Sequence, residues 1–519
     1  MQSPYMKGLT KRNNEEVFPA SPTLIENLPL SENTKQKWLE QRKALLLAKQ
    51  NSTYIYDKRL RPYQNDDVNF LKRLNKGKGV FNQQRVGKTP TTLVTMRVKN
   101  QHRNIIIVPK STIHQWKKEY TRWHGGKLIN LKDSWSKEKR VKAYREQEGT
   151  LITNYEKIRI DLPEIIEHLA PFDAIVLDEA HYLRNYRGTG ANSSTPRTVK
   201  ALVQLRKYAT DAYALTGTPT PNRESDICGI LAFLYPDLFR YYWPTVNYYF
   251  ETETMRNTNV GKDFNIVQGF QNEIKKQEML GFIETFSIQR KRKDVMKWLP
   301  PVDTEIVRID PTAKQLKYFK ELEKYFETEH VICENALTTM IALRQIAHDP
   351  SVLELKSDNP KFAWIKDHIK DYLEKPIIIV SSFSRILKNL QKYLKKYEPR
   401  FIYGETSSKK RGEIIDDFQS GKFNILLANI QVAKEGITLS RAEEIIFLDP
   451  SLTYTDNEQM KDRFLPINEE EAISKEGQKI IHLLLRKSID MYIHRSLLKK
   501  KDATAIINDY TNSLRKVVL

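Results

Sequence analysis

Gly87-Lys88-Thr89 and Asp178-Glu179 are the residues of this sequence best suited to chemistry. A lysine and a hydroxyl beside a glycine can hold nucleotide phosphates and Mg²⁺. Backbone amides of a loop that enters a helix would face the same phosphates. An aspartate at a strand end can hold that Mg²⁺, and the next carboxylate can activate a water. Gly-Lys-Thr alone is a common string. Its weight comes from Asp178-Glu179-Ala180-His181, which follows about 90 residues later, directly after the apolar run 174–177. The pair predicts nucleotide hydrolysis, with Thr89 and Asp178 as metal ligands and Gly87, Lys88 and Thr89 on the phosphates. His181 has no partner cluster in the sequence and is not read as a metal ligand.

The elements that must position these residues are legible as rhythm. Apolar β-type runs at 104–108, 150–153, 174–177 and 212–215 alternate with helical stretches. Continuous runs of that length suit a parallel sheet covered on both faces. A second alternation begins near 361, with runs at 376–380, 424–428, 444–448 and 479–484. Two α/β domains follow from this, as 519 residues require more than one core. The expected organisation is an N-terminal arm over 1–57 with a helix near 35–49, a first lobe over 58–235, a helical protrusion and linker over 236–360, and a second lobe with a closing helix over 361–519. The aromatic stretch 241–250 is read as packing for the protrusion rather than as a base-stacking surface, and a polar segment, 252–265, follows it.

Lys and Arg number 85 against 64 Asp and Glu, a net charge of +21. That excess favours a polyanionic partner, most simply nucleic acid. The two cysteines, Cys228 and Cys333, have no metal-type spacing and read as buried thiols of a reducing compartment. No run of 18 apolar residues exists and the first residues lack an apolar signal core, so an intracellular protein without a membrane span is expected.

Further motifs, in order along residues 58–510, give the chain a family resemblance. Leu60-Arg61-Pro62-Tyr63-Gln64 precedes the phosphate loop, and the segment 105–119 (IIIVPKSTIHQWKKE) follows it. Arg184-Asn185 follows Asp178-Glu179-Ala180-His181, and Leu215-Thr216-Gly217-Thr218-Pro219 comes next. The signatures 287–300 (SIQRKRKDVMKWLP) and 343–350 (LRQIAHDP) lie between the lobes. In the second lobe stand Ile379-Val380-Ser381-Ser382-Phe383-Ser384, Tyr403-Gly404 with Arg411 and Phe418, the loop 433–439, then Gln459, Asp462 and Arg463, and the closing segment 489–502. The chain resembles superfamily 2 helicase-like ATPases, and within them the DNA translocases of the switch/sucrose-non-fermenting remodeller family. The resemblance implies two RecA-like lobes, each a mostly parallel sheet flanked by helices, with a helical insertion between them. It implies ATP and Mg²⁺ as cofactors and double-stranded or branched DNA as partner. Gln64 would read the adenine edge and the segment 105–119 would touch DNA phosphates. Lys88 would hold phosphates, Glu179 would orient or deprotonate the attacking water, and Arg463 would reach the γ-phosphate from the second lobe.

Two departures qualify the match. Arg85 stands where the family has a glycine, which restricts φ and adds bulk near the phosphates. It either points outward and leaves the loop intact, or lends its guanidinium to the phosphates. Pro466 stands where a second arginine is usual, three residues after Arg463. Asn82 occupies the first glycine position of the general phosphate-loop pattern. The resulting expectation is an ATP-dependent motor that moves on DNA to remodel it or displace bound proteins. A strand-separating helicase and a non-catalytic DNA-binding protein with a degenerate motor stay open beside it. The compact layout suits a bacterial, phage or viral setting. Arg290-Lys291-Arg292-Lys293 is either DNA-facing or a solvated charge run.

Overall fold

A computed structural model describes residues 54–499 apart from short internal stretches, together with 36, 506, 507, 509 and 510. Nearly all of the expected N-terminal arm, including the 35–49 helix, lies outside the described residues. The chain divides into two compact units, Met1–Met296 and Lys297–Leu519. Each has a six-stranded sheet.

In the first unit the sheet is built from β1 (Gly77–Val80), β2 (Asn104–Val108), β3 (Leu151–Asn154), β4 (Phe172–Asp178), β5 (Ala209–Leu215) and β8 (Ser287–Ile288). Its order is β3-β2-β4-β5-β1-β8, and every pairing is parallel. The expected run at each of β2 to β5 forms a strand, for the physical reason given: both faces are covered, so Ile105, Ile106, Ile107, Ala174, Ile175, Val176 and Leu177 are all sealed from solvent. Strand β1, Gly-Lys-Gly-Val, carries no such apolar run. Its glycines answer to crowding: a Cβ on Gly79 would come within 2.7 Å of Phe81 and Ser287. Lys78 is buried there because Asp211 of β5 meets its Nζ at 2.9 Å.

The aromatic stretch forms the helix Tyr242–Tyr249, with Tyr242, Tyr248, Tyr249 and Phe250 buried and Tyr241 and Trp243 exposed. Tyr248 and Tyr249 both donate to Glu278 of the helix Glu273–Phe286, each at 3.1 Å. The polar segment that follows contributes to two antiparallel strands, β6 (Phe250–Asn257) and β7 (Lys262–Phe270). Its stretch 251–254, Glu-Thr-Glu-Thr, is exposed and carries no apolar signal of the kind that marks a strand.

The second unit contains β9 (Val302–Ile309), a short hairpin β10 (Glu327–Thr328) and β11 (Val331–Ile332), then β12 (Ile377–Ser381), β13 (Arg400–Ile402), β14 (Ile425–Asn429), β15 (Glu444–Asp449) and β16 (Gln478–Leu485). The sheet order is β13-β14-β12-β15-β16-β9, again wholly parallel. Strand β9 is an edge strand with no fully buried residue, which explains why no apolar run announces it. The signature 343–350 ends the helix Ala336–His348 and supplies a buried ionic network. Arg344 and His348 reach Asp449 at 2.7 and 2.9 Å, while Lys361 meets Asp490 at 2.6 Å and His348 Nδ1 at 2.9 Å. The closing segment forms the helix Ile489–Leu498, capped by Ser488. Among the described residues no helix is long and apolar enough to cross a membrane.

Candidate active site

Four chain segments leave the first sheet at its C-terminal edge: 82–87 after β1, 109–112 after β2, 179–185 after β4 and 216–219 after β5. In open parallel sheets this is the edge where ligands bind. The phosphate-loop segment enters the helix Lys88–Val98 through Gly87, whose φ of +91° is left-handed. A side chain there would strike Gln64, since a Cβ on Gly87 would fall 1.9 Å from Gln64 Nε2. Gly87 is thus required twice, by its backbone and by this contact. Lys88 begins the helix and donates from Nζ to the Asn82 carbonyl at 3.2 Å, across the loop's own span. Thr89 is the next residue of the same first turn.

Asn82 and Arg85, the two departures from glycine, have different explanations. Asn82 is fully buried and its Nδ2 donates to Asp67 Oδ2 at 3.1 Å. Asp67 also takes Arg290 Nη2 at 2.8 Å, so the loop's start is anchored to the helix Pro62–Leu71 and to the strand-end segment after β8. Gln83 N donates to Arg290 O at 3.0 Å, and Arg292 N to Gln83 Oε1 at 2.7 Å. The Arg290–Lys293 run is therefore neither wholly a solvated face nor wholly a nucleic-acid surface: Arg290 and the backbone of Arg292 hold the phosphate loop. Arg85 adopts φ +65°, the left-handed conformation that glycine would take without strain.

Gln64 sits against this loop. Its Oε1 accepts from Arg61 N at 2.9 Å and its Nε2 donates to Val86 O at 3.3 Å. An amide has two N–H groups and two lone pairs, so one of each remains for a ligand among the described contacts.

Asp178 ends β4, and Glu179 follows at φ +54°, a left-handed turn that starts the short helix Ala180–Asn185. Two donors fix the Asp178 carboxylate on separate oxygens. Trp116 Nε1 donates to Oδ2 at 2.8 Å and Glu179 N to Oδ1 at 3.1 Å. Burial and then the adjacent Glu179 raise the Asp178 carboxyl to about 6, with Trp116 and the charge of Lys88 pulling the other way. The structure thus brings Lys88 and Asp178 into one electrostatic site. Glu179 Oε2 lies 3.2 Å from His181 Nδ1, and His181 stacks on Tyr182, which stacks on Tyr155. The Tyr155 hydroxyl donates to the Asp178 carbonyl. Thr89, Asp178 and Glu179 are hard oxygen donors of the kind Mg²⁺ takes, usually through one or two carboxylates plus substrate phosphates. A carboxylate held up by burial and a like charge is one that a cation would relieve, so the residues fit Mg²⁺.

The loop after β5 closes on the same edge. Thr216 N donates to Val80 O at 3.2 Å, and Gly217 lies beside Gln84 and the Asn82 carbonyl. Trp116, Tyr155 and Asp67 are absent from the sequence-based site. Trp116 had a readable signal: Ile113, Trp116, Tyr120 and Trp123 form one buried stripe, and a buried indole N–H needs an acceptor.

Arg463 belongs to the second unit. It lies in the last turn of the helix Tyr454–Phe464, and its Nε donates to Lys434 O at 2.9 Å. Leu439 N donates to Arg463 O at 2.9 Å, and Lys434 pairs with Asp456 at 2.8 Å. The loop 433–439, of which 435 and 436 lie outside the described residues, is thereby strapped to the helix that carries Arg463. Pro466 is buried just beyond.

Comparison with known proteins identifies the family. A model of the SNF2-related domain matches residues 24–352, and one of the helicase conserved C-terminal domain matches 360–467. The ISWI chromatin-remodeling complex ATPase ISW2 of Saccharomyces cerevisiae is 25% identical over 469 residues, covering 82% of this chain and 39% of its own. The DNA repair and recombination protein RAD54-like of Drosophila erecta is 23% identical over 536 residues, covering 88% and 64%. The chain therefore spans less than two thirds of these relatives. Among solved structures, the Pyrococcus furiosus Hef helicase domain shares the fold, with a TM-score of 0.50 at 16% identity over 84% of this chain and 98% of that one. The Sulfolobus solfataricus SWI2/SNF2 ATPase core in complex with dsDNA matches 88% of this chain and 96% of that one at 23% identity, with a TM-score of 0.38. With the first family model covering 24–352 of 519 residues and the second following it in order, the chain belongs to the SNF2-related family of superfamily 2 helicase-like ATPases.

Proposed function

We propose that this protein is a DNA-dependent ATPase that moves on double-stranded or branched DNA and remodels DNA or protein–DNA complexes. The observation that carries the reading is the meeting of Lys88, at the mouth of a left-handed glycine turn, with Asp178 and Glu179 at one edge of one parallel sheet. The amides of the first turn of Lys88–Val98 and the Lys88 ammonium bind the phosphates. Thr89 and Asp178 would hold Mg²⁺, which would supply neutralisation of the phosphate charge. Glu179 orients the attacking water and takes its proton. Gln64 reads the adenine edge through its remaining N–H and lone pair, and Arg463 stabilises charge on the transferring phosphoryl group.

The net charge of +21 supports a polyanionic partner, and the family's relatives include one named as a chromatin-remodeling complex ATPase and one as a DNA repair and recombination protein. Tracking a backbone needs phosphate contacts rather than base readout, so binding is expected to be weakly sequence-specific and strongly salt-dependent. Two free, buried cysteines accord with a reducing, intracellular setting. Pro466, in the place of a second arginine, favours one other reading, a DNA-binding protein whose motor is degenerate.

Hydrolysis with and without duplex DNA, compared for the wild type, Lys88→Ala and Glu179→Gln, tests the assignment. Each substitution is expected to lower DNA-stimulated turnover by about 10²-fold or more. Full stimulated turnover in both variants would show that the site is elsewhere.

A further inference from the structure

Trp116 links the phosphate-and-metal site to a second exposed face of the same unit. Its indole is 2% exposed, and the acceptor of its N–H is not a nearby backbone carbonyl but the carboxylate of Asp178, 2.8 Å away. That carboxylate has its other oxygen on Glu179 N, so the indole and one amide together fix its plane. Outer donors of this kind set the orientation of a metal ligand. The helix that carries the indole, Ile113–Trp123, starts at the turn Lys110–Thr112, where β2 ends beside β4 at the sheet edge. Lys110, Ser111, His114 and Gln115 are exposed there. No acidic residue interrupts 108–118, so this face presents cations, amides and a hydroxyl, the groups that meet phosphates.

We propose that Trp116 is a positioning residue that couples the 110–115 face to Asp178. Contact of a nucleic-acid backbone with Lys110, Ser111 and His114 loads the start of the helix. The helix packs along Ile113, Trp116, Tyr120 and Trp123, which places the indole N–H between that contact and the carboxylate. This rests on the reading of Asp178 as an Mg²⁺ ligand.

The test uses the full chain and two variants. Trp116→Phe removes the N–H and keeps an aromatic body; Trp116→His keeps a ring N–H. Mn²⁺ binding in the presence of ADP, read by electron paramagnetic resonance of free Mn²⁺, is expected to weaken about tenfold in Trp116→Phe and less in Trp116→His. The ratio of hydrolysis with duplex DNA to hydrolysis without it is expected to fall severalfold in Trp116→Phe at saturating Mg²⁺. Unchanged Mn²⁺ binding in Trp116→Phe would overturn the proposal. So would equal losses in both variants that merely follow a lowered unfolding temperature. A wild type that binds Mn²⁺–ADP but is stimulated by no DNA would defeat both the proposed function and the coupling, while the Mn²⁺ comparison still judges the positioning of Asp178. A wild type that does not bind Mn²⁺–ADP would overturn this proposal along with the reading of Asp178.

Discussion

At Arg85 the backbone takes φ +65°, a conformation that costs a non-glycine residue about 1–2 kcal/mol. The loop it sits in is held on either side, because Asn82 is bolted to Asp67 and Gln64 covers Gly87. Arg85→Gly is therefore expected to relieve strain: an unfolding temperature equal to or above wild type, with hydrolysis kept within a few-fold. Loss of hydrolysis by more than about tenfold would show that the guanidinium assists the phosphates, worth over ~1.4 kcal/mol. Residue by residue, the reactive groups were the most legible part of the sequence. Lys88, Thr89, Asp178 and Glu179 follow from chemistry and spacing alone. Asn82 was not legible, because its role is a contact with Asp67 of an earlier helix and, through it, with Arg290, 223 residues from Asp67.

The element that ties the phosphate loop down is the segment after β8, which contributes backbone to Gln83 and the Arg290 guanidinium to Asp67. Asp67 is fully buried in its side chain, and burial raises its carboxyl above the usual range while Arg290 and Asn82 oppose that. Arg290→Ala leaves Asn82 as the remaining donor and is expected to cost about 1–3 kcal/mol. It should lower the unfolding temperature and weaken nucleotide binding together. Lower stability with unchanged nucleotide affinity would separate the anchor from the site.

A second element-level prediction concerns β16. His482 lies between β15 and β9, stacked on Phe447, with Lys461 and His494 near it. Burial first, then Lys461 and His494, push its imidazole down to about 3. The folded state keeps it neutral where the unfolded chain, near 6.5, takes a proton. Stability from this group is thus complete above pH ~6.5 and declines as pH falls toward 3, by up to ~1.4 kcal/mol per pH unit. Denaturant unfolding of the wild type and His482→Gln at pH 7, 6 and 5 is expected to show a shallower loss in the variant; parallel curves would contradict the burial argument. The strands buried on both faces were readable as apolar runs, including β15 and β16. Strands β6, β7 and β9 were not, since hairpin and edge positions carry alternating or polar residues, and β1 was masked by glycines required for close packing beside Phe81 and Ser287.

At the scale of the whole molecule, two wholly parallel six-stranded sheets in succession and the family membership of residues 24–352 and 360–467 give the framework of a helicase-like ATPase. The excess of 85 basic over 64 acidic residues supplies an attraction to polyanions that acts over the surface rather than at one site. The order of motifs made the two-lobe plan legible, and Asp178-Glu179 and the segment after 108 follow strands whose apolar runs are themselves readable. Specificity for one DNA form would have no such local signature, since contacts to a nucleic-acid backbone carry no sequence code.

The most direct measurement is steady-state ATP hydrolysis without nucleic acid and with single-stranded DNA, duplex DNA, branched DNA and RNA, each at low and moderate salt, with Lys88→Ala as control. The account expects strong stimulation by duplex or branched DNA that weakens as salt rises and vanishes in Lys88→Ala. Tight DNA binding with no hydrolysis under any of these conditions would contradict it and identify the motor as degenerate.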